Sequence, residues 1–235
     1  MKYKMIIKYD GSMFFGFQRQ KSVRNVQGYL EECISRELHE KIVVKGAGRT
    51  DRGVHANYQV VHFNTNKKIK NLKKQLNKIL KDLKIKKIYK VDESFHARHS
   101  VKSKTYLYKI DLTNTRNSDY YLRFYGKLDI KKMKEASKYF LGTHNFKNFV
   151  AGERINYETT IFRIRIFEIN NILYLKFSGI GFYRYMIRNL VGALLEVGKG
   201  KVVPIVIKEM LEHYEIEKRL PTVSPNGLYL TKIRY

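Results

Sequence analysis

Apolar residues in this chain recur at two spacings, every second position in some stretches and every third or fourth in others, and the two alternate along its length. Lys2–Tyr9 has the strand spacing and stops at the Asp10-Gly11 turn. From Asn25 the period lengthens, with Val26, Leu30, Cys33, Ile34 and Leu38 on one helical face. Ile42–Val44 and Tyr58–Phe63 read as strands on either side of a glycine-rich loop, Gly46–Gly53. A second helix is predicted over Asn71–Leu83, on Leu72, Leu76, Ile79, Leu80 and Leu83, and Ile85–Val91 closes the half as a strand. The order is β-α-β-β-α-β, a ferredoxin-like unit.

The remainder repeats that order. Lys104–Ile110 is a strand, and Asp129–Leu141 a helix with Ile130, Met133, Ser137, Phe140 and Leu141 on one side. Phe162–Ile169 and Ile172–Ser178 form a hairpin about Asn170-Asn171. Phe182–Val197 is a helix stopped by Gly198, a further helix starts at Pro204, and Gly227–Arg234 is the last strand. The expected fold is therefore α+β: two ferredoxin-like halves, 1–102 and 103–235, with antiparallel sheets flanking a central basic cleft.

Charge narrows the partner. The 235 residues carry 47 Lys and Arg against 21 Asp and Glu, a formal net charge of +26. Such an excess repels itself in a compact state and calls for a polyanion, for which nucleic acid is the natural choice. The basic residues are spread along the chain rather than gathered on one amphipathic helix, which argues against a membrane surface. A single cysteine, Cys33, excludes a disulfide framework and fits a reducing compartment. The first residues lack the apolar run of a signal peptide and no stretch is long and apolar enough to span a bilayer, so a cytoplasmic protein is expected.

Cofactor signatures fail. Gly46-Ala47-Gly48 begins like a dinucleotide fingerprint, but the third glycine is absent and a strand, not a helix, follows. There is no phosphate-loop lysine pattern. His96-x-x-His99 has no neighbouring carboxylate or cysteine to complete a metal site, which leaves these histidines for solvent or RNA. Neither a metal nor a cofactor is expected.

What stands out is the loop Gly46-Ala-Gly-Arg49-Thr50-Asp51-Arg52-Gly53-Val-His55. One acid stands among two arginines and a histidine, neighbours that favour an ionised carboxylate. An ionised aspartate can attack a sugar or base carbon; an Asp-Arg turn pair that merely orders the loop is the competing reading. Arg188 falls within an apolar helix, where a bare guanidinium is expensive and an ion pair is the better explanation. Tyr106 alternates with Tyr108 and Ile110, which by pattern alone is strand core. Arg49 alone reads as a phosphate contact.

The loop resembles the catalytic motif of the TruA-type tRNA pseudouridine synthases, and the resemblance runs along nearly the whole chain. Tyr9-Asp10-Gly11 with Phe14, Gly16, Gln18 and Gln20 is similar to the family's first signature. Gln59–Phe63, Phe95–Arg98, Lys104–Tyr106, Leu141–Phe146, Met186–Gly192 and Gly227-Leu228 follow in the family's order. The resemblance implies isomerisation of uridine to pseudouridine in tRNA, at positions 38 to 40 of the anticodon arm, by a homodimer. It implies that Asp51 is the catalytic aspartate, that Arg49 fills the gap left by the extruded nucleotide, that Tyr106 stacks on the uracil, and that Arg188 is the aspartate's basic partner. Arg52, Phe17 and Lys104 stand where alanine, tryptophan and arginine are usual. Two alternatives stay open: the same chemistry on ribosomal RNA, or a non-catalytic RNA-binding protein on the same scaffold.

Overall fold

A computed structural model describes residues 1–215 and 218–235. It divides into two compact units, Met1–Lys102 with Tyr229–Tyr235, and Ser103–Leu228. The last strand thus corrects the expected division into 1–102 and 103–235. Its residues Tyr229 and Leu230 pair in parallel with His55 and Ala56, so the final seven residues complete the first unit.

The first unit contains strand β1 (Lys2–Tyr9), helix α1 (Val26–Leu38), strands β2 (Lys45–Gly46) and β3 (His55–Asn64), helix α2 (Leu72–Ile79) and strand β4 (Leu83–Val91). Its sheet runs β4, β1, β3 and then β10 (Leu228–Arg234), with β2 also on β3. β1 is antiparallel to both β3 and β4. Alternation explains the packing: Tyr3, Met5, Ile7 and Tyr9 of β1 are all buried, facing one way from the pleat. α1 starts where its sequence says it should, because Asn25 caps it by accepting the Gly28 amide at 2.8 Å. Leu30 and Ile34, both fully buried, are worth roughly 1.5–3 kcal/mol each.

Two predicted elements shift. Residues 42–44 form no strand; the Ile42 amide goes to Ser35 Oγ at 2.9 Å and the Val44 amide to Glu31 Oε1 at 2.8 Å, so side chains of α1 take the bonds a partner strand would have made. α2 ends at Ile79, and Leu83 opens β4 instead of closing the helix. Asp82 takes φ +64°, its carbonyl accepts from the Asp10 amide at 2.9 Å, and its carboxylate holds Arg24 at 2.9 Å. Those bonds pull the chain out of helical geometry.

The second unit holds β5 (Ser103–Asp111), β6 (Leu122–Arg123), α3 (Ile130–Tyr139), β7 (Gly142–Asn145), β8 (Glu158–Ile169), β9 (Ile172–Gly179), α4 (Met186–Gly198) and α5 (Ile205–Glu212). Its strand order is β5, β9, β8, β7, with β6 beside β5. The β8–β9 hairpin turns on Asn170 and Asn171, with φ of +51° and +60°, as a right-twisted two-residue turn demands. Asp129 caps α3, its carboxylate accepting from the Lys132 amide at 3.0 Å. β7 lacks an alternating apolar signal and is fixed by its pairing with β8.

α4 begins four residues later than its periodicity suggests. Residues 180–184 are tied to residues 151–159 of the same unit: Thr159 Oγ1 donates to the Gly181 carbonyl at 3.0 Å, Tyr183 Oη to the Glu158 carbonyl at 2.6 Å, and the Ala151 amide to the Arg184 carbonyl at 3.0 Å. Within α4, Gly192 passes so close to the Pro221 carbonyl that a Cβ would collide with it. Gly192→Ala is therefore expected to cost about 1–3 kcal/mol, lowering the melting midpoint by roughly 2–4 °C for each kcal/mol. A melt within 1 °C of wild type, about the noise of such a scan, would contradict that packing.

Candidate active site

The loop Ala47–Val54 leaves the sheet after β2 and returns at the start of β3, and both ends are pinned. On the β2 side, the Ala47 amide donates to the Val60 carbonyl at 2.8 Å and Gln59 Nε2 to the Gly48 carbonyl at 3.0 Å. On the other side the Val54 amide closes a turn on the Asp51 carbonyl at 3.1 Å, with Gly53 at φ +81°, a conformation suited to glycine. Between them Thr50 is held twice. Its carbonyl accepts from the Phe17 amide at 3.0 Å and its hydroxyl lies 2.8 Å from Tyr9 Oη. Burial pushes the Tyr9 phenol up to about 12, against the lowering pull of its bonds to Thr50 and Gln59, so it stays a neutral hydrogen-bonding post.

A second support lies beneath. His55 is buried, its ring stacked on Tyr229 at 4.5 Å, and its Nδ1 accepts from the Gly11 amide at 3.0 Å and lies 3.2 Å from Asp10 Oδ1. The Tyr9-Asp10-Gly11 turn thus braces this loop's exit into β3. Asp51 itself is half-buried and Arg49 exposed. The guanidinium of Arg52 lies 4.1 Å above the Phe15 ring, a contact that occupies this unusual charge.

In the second unit, Tyr106 lies on β5 and Arg188 on α4. Tyr106 is 8% exposed and meets Phe182 edge-on at 5.4 Å. Two residues on, and on the same side of the strand, Tyr108 donates from Oη to the Ser224 carbonyl at 2.5 Å. Burial raises the Tyr108 phenol, and the nearby Arg188 charge opposes that rise. Arg188 is half-buried on the first turn of α4, where its Nε donates to the Val223 carbonyl at 2.7 Å and its guanidinium lies 4.4 Å from the Tyr185 ring centre. Arg184 sits over the same ring at 5.0 Å and Arg154 over Tyr183 at 4.1 Å. Arg49 and Asp51 thus share one loop of the first unit, while Tyr106 stands on β5 and Arg188 on α4 of the second.

Three buried polar side chains carry support that periodicity does not reveal. Gln59 is sealed beneath the loop, and Glu31 ties α1 to the segments on either side of it, pairing with Arg19 before the helix and accepting from the Val44 amide after it, with Gln27 Nε2 donating to it at 3.1 Å. His62 sits further along β3, where the Ala97 amide donates to its Nδ1 at 3.1 Å. The usable signal was a polar residue inside an apolar run, Gln59-Val60-Val61-His62-Phe63.

His62 also sets a pH limit. Burial, with the charges of His96, Lys2 and Lys45, pushes its imidazole down from 6.5 to about 4. Between those values the unfolded chain takes up a proton that the native state refuses, so stability should fall as pH drops from 6.5 to about 4 and this contribution should level off below. Asp111 is affected lower. Burial alone would raise its carboxyl, but the Thr113 hydroxyl and the amides of Arg116, Thr113 and Thr115 hold it well below the usual range, so its contribution fades only under pH 3.8. Urea midpoints measured across this range should slope in wild type and slope less in His62→Gln.

Among the described residues no group of three or more His, Cys, Asp and Glu side chains is arranged to hold a metal, and no helix is long and apolar enough to cross a membrane.

Comparison with known proteins gives the scaffold a lineage. A family model described as tRNA pseudouridine synthase matches residues 5–100 and 136–235. The chain is 38% identical to the tRNA pseudouridine synthase A of Pseudothermotoga lettingae, covering 100% of this chain and 99% of that protein. It is 37% identical to the enzyme of the same name from Thermosipho melanesiensis, with 100% and 99% covered. It is 40% identical to tRNA pseudouridine synthase A 2 of Clostridium perfringens, with 99% and 98% covered. The family model and these relatives define a pseudouridine synthase, an isomerase that converts uridine to pseudouridine. Within that class the chain belongs to the tRNA pseudouridine synthase family.

Proposed function

We propose that this chain forms pseudouridine at positions 38 to 40 in the anticodon arm of tRNA, as a cytoplasmic homodimer, with Asp51 as its reacting carboxylate. The observation that carries the reading is similarity over the whole length to proteins named tRNA pseudouridine synthase A, with Gly48-Arg49-Thr50-Asp51 intact. The reaction breaks the N1–C1′ bond, forms C5–C1′, releases the C5 proton and adds one at N1. It is redox-neutral.

Each residue has a task in this reading. A stacked base must leave its helix before the glycosidic bond is reachable, and Arg49, exposed on the loop tip, fills the space it vacates. Tyr106 offers its ring to the uracil, a contact worth roughly 1–3 kcal/mol. Asp51, on a loop tied to a rigid sheet, reacts. Arg188 is the basic residue of the second unit.

Two measurements test the assignment. Wild-type enzyme should release tritium from [5-³H]uridine-labelled tRNA transcripts. A deletion strain should lack pseudouridine at tRNA positions 38 to 40 and keep it in ribosomal RNA. Loss confined to ribosomal RNA would refute the tRNA assignment, and sedimentation at one chain's mass would refute the dimer.

A further inference from the structure

At the far end of β3 from the catalytic loop, the first unit carries a cavity of about 530 Å³. Lys2, Lys41, Lys45, His62 and His96 line it. His62 lies seven residues beyond His55, so the cavity is roughly 23 Å along the strand from the loop's exit.

The two imidazoles are set as donors. The Ala97 amide donates to His62 Nδ1 at 3.1 Å, and the Arg98 and His99 amides donate to His96 Nδ1 at 3.1 and 3.3 Å. A ring nitrogen that accepts from a backbone amide cannot carry the ring's proton, so in each neutral ring the hydrogen is on Nε2. Burial and neighbouring positive charges push both rings below their ordinary range, so both are neutral near pH 7. Two carboxylates, Glu40 and Glu93, stand at the rim against three lysines and the terminal ammonium. Glu40 accepts from Thr65 Oγ1 at 2.5 Å and from the Asn66 amide at 3.3 Å, and Glu93 lies 3.8 Å from the terminal ammonium. The cavity is thus furnished with N–H donors and ammonium groups, the chemistry that recognises an oxyanion.

We propose that this cavity is a phosphate site, and that the phosphate it takes belongs to the backbone of the RNA substrate, which it grips at a second point away from the reacting uridine. The RNA assignment rests on the proposed function; the phosphate assignment rests on the donors alone. In this arrangement the lysines supply charge, while the Nε2–H groups supply direction, which a layer of surface lysines would lack.

Neutral substitutions separate the two. In His96→Asn the side-chain oxygen can still accept the Arg98 amide, as Asn does in a local turn, but the Nε2–H donor is gone. In His96→Gln an amide nitrogen reaches the position of Nε2. tRNA affinity should fall about tenfold in His96→Asn, the size of one hydrogen bond to a charged group, and should stay within about twofold of wild type in His96→Gln. kcat at saturating tRNA should be unchanged in both. With inorganic phosphate as the probe, the Nε2 resonances of His62 and His96 should shift in wild type, and that of His62 should stay put in His96→Asn. Should His96→Asn fail to fold, Lys45→Gln on the exposed rim should weaken tRNA binding and reduce its salt slope by about 0.7–0.9.

Equal tRNA affinity in wild type, His96→Asn and His96→Gln, with no phosphate shift, would overturn the site. A phosphate shift with unchanged tRNA affinity would overturn the RNA assignment and leave a site for free phosphate. Failure of the underlying function would show separately, as wild-type enzyme that binds tRNA yet releases no tritium.

Discussion

Asp51→Asn should abolish tritium release, with turnover falling on the order of 10⁴-fold or more, the scale seen when a reacting side chain is removed, while tRNA still binds. The geometry favours a clean experiment. The loop's shape is set by the bonds of its neighbours: Thr50 to Tyr9 and Phe17, Ala47 to Val60, and Gln59 to Gly48. Asp51 contributes its backbone carbonyl to the turn, which asparagine keeps. The substitution is nearly isosteric: it removes the side chain's charge and leaves that carbonyl in place. Melting should stay near wild type and tRNA affinity within a few-fold. Turnover close to wild type in this variant would remove Asp51 from the mechanism and return the loop to the bland reading of an ordered Asp-Arg turn.

Binding of tRNA should collapse with salt. A chain of net charge +26 that neutralises roughly 6–10 phosphates should lose about 10³–10⁵ in affinity between 50 and 200 mM salt. The cause is release of condensed counterions, so the logarithm of affinity should fall linearly with the logarithm of salt concentration. Turnover at saturating tRNA should change far less, because the chemical step follows formation of the complex. A nearly flat binding curve would mean that the lysines are general surface charge and that RNA is held by other contacts.

Local chemistry was legible in the chain itself. β1 from Lys2 to Tyr9, the starts of α1 after Asn25 and of α3 after Asp129, and the Asn170-Asn171 hairpin all stand where the residues put them. Each depends on neighbours within a turn or a pleat, so a short window contains the whole cause. The Gly48-Arg49-Thr50-Asp51 motif was equally plain, and with it the family to which the comparisons assign the chain.

Tertiary structure decided what distant partners decide. The last strand joined the first unit because its Tyr229 and Leu230 found the start of β3, a parallel pairing that leaves no mark in local spacing. Residues 42–44 lost their strand to side chains of α1, and α4 gave up its first turn to ties with residues 151, 158 and 159. Periodicity records which side of an element is apolar, whereas these outcomes turned on which remote group satisfied a backbone N–H or C=O. The same holds for the orientation of the histidines at the end of β3. Their sequence shows two imidazoles; only the amides of Ala97, Arg98 and His99 fix which nitrogen carries the proton.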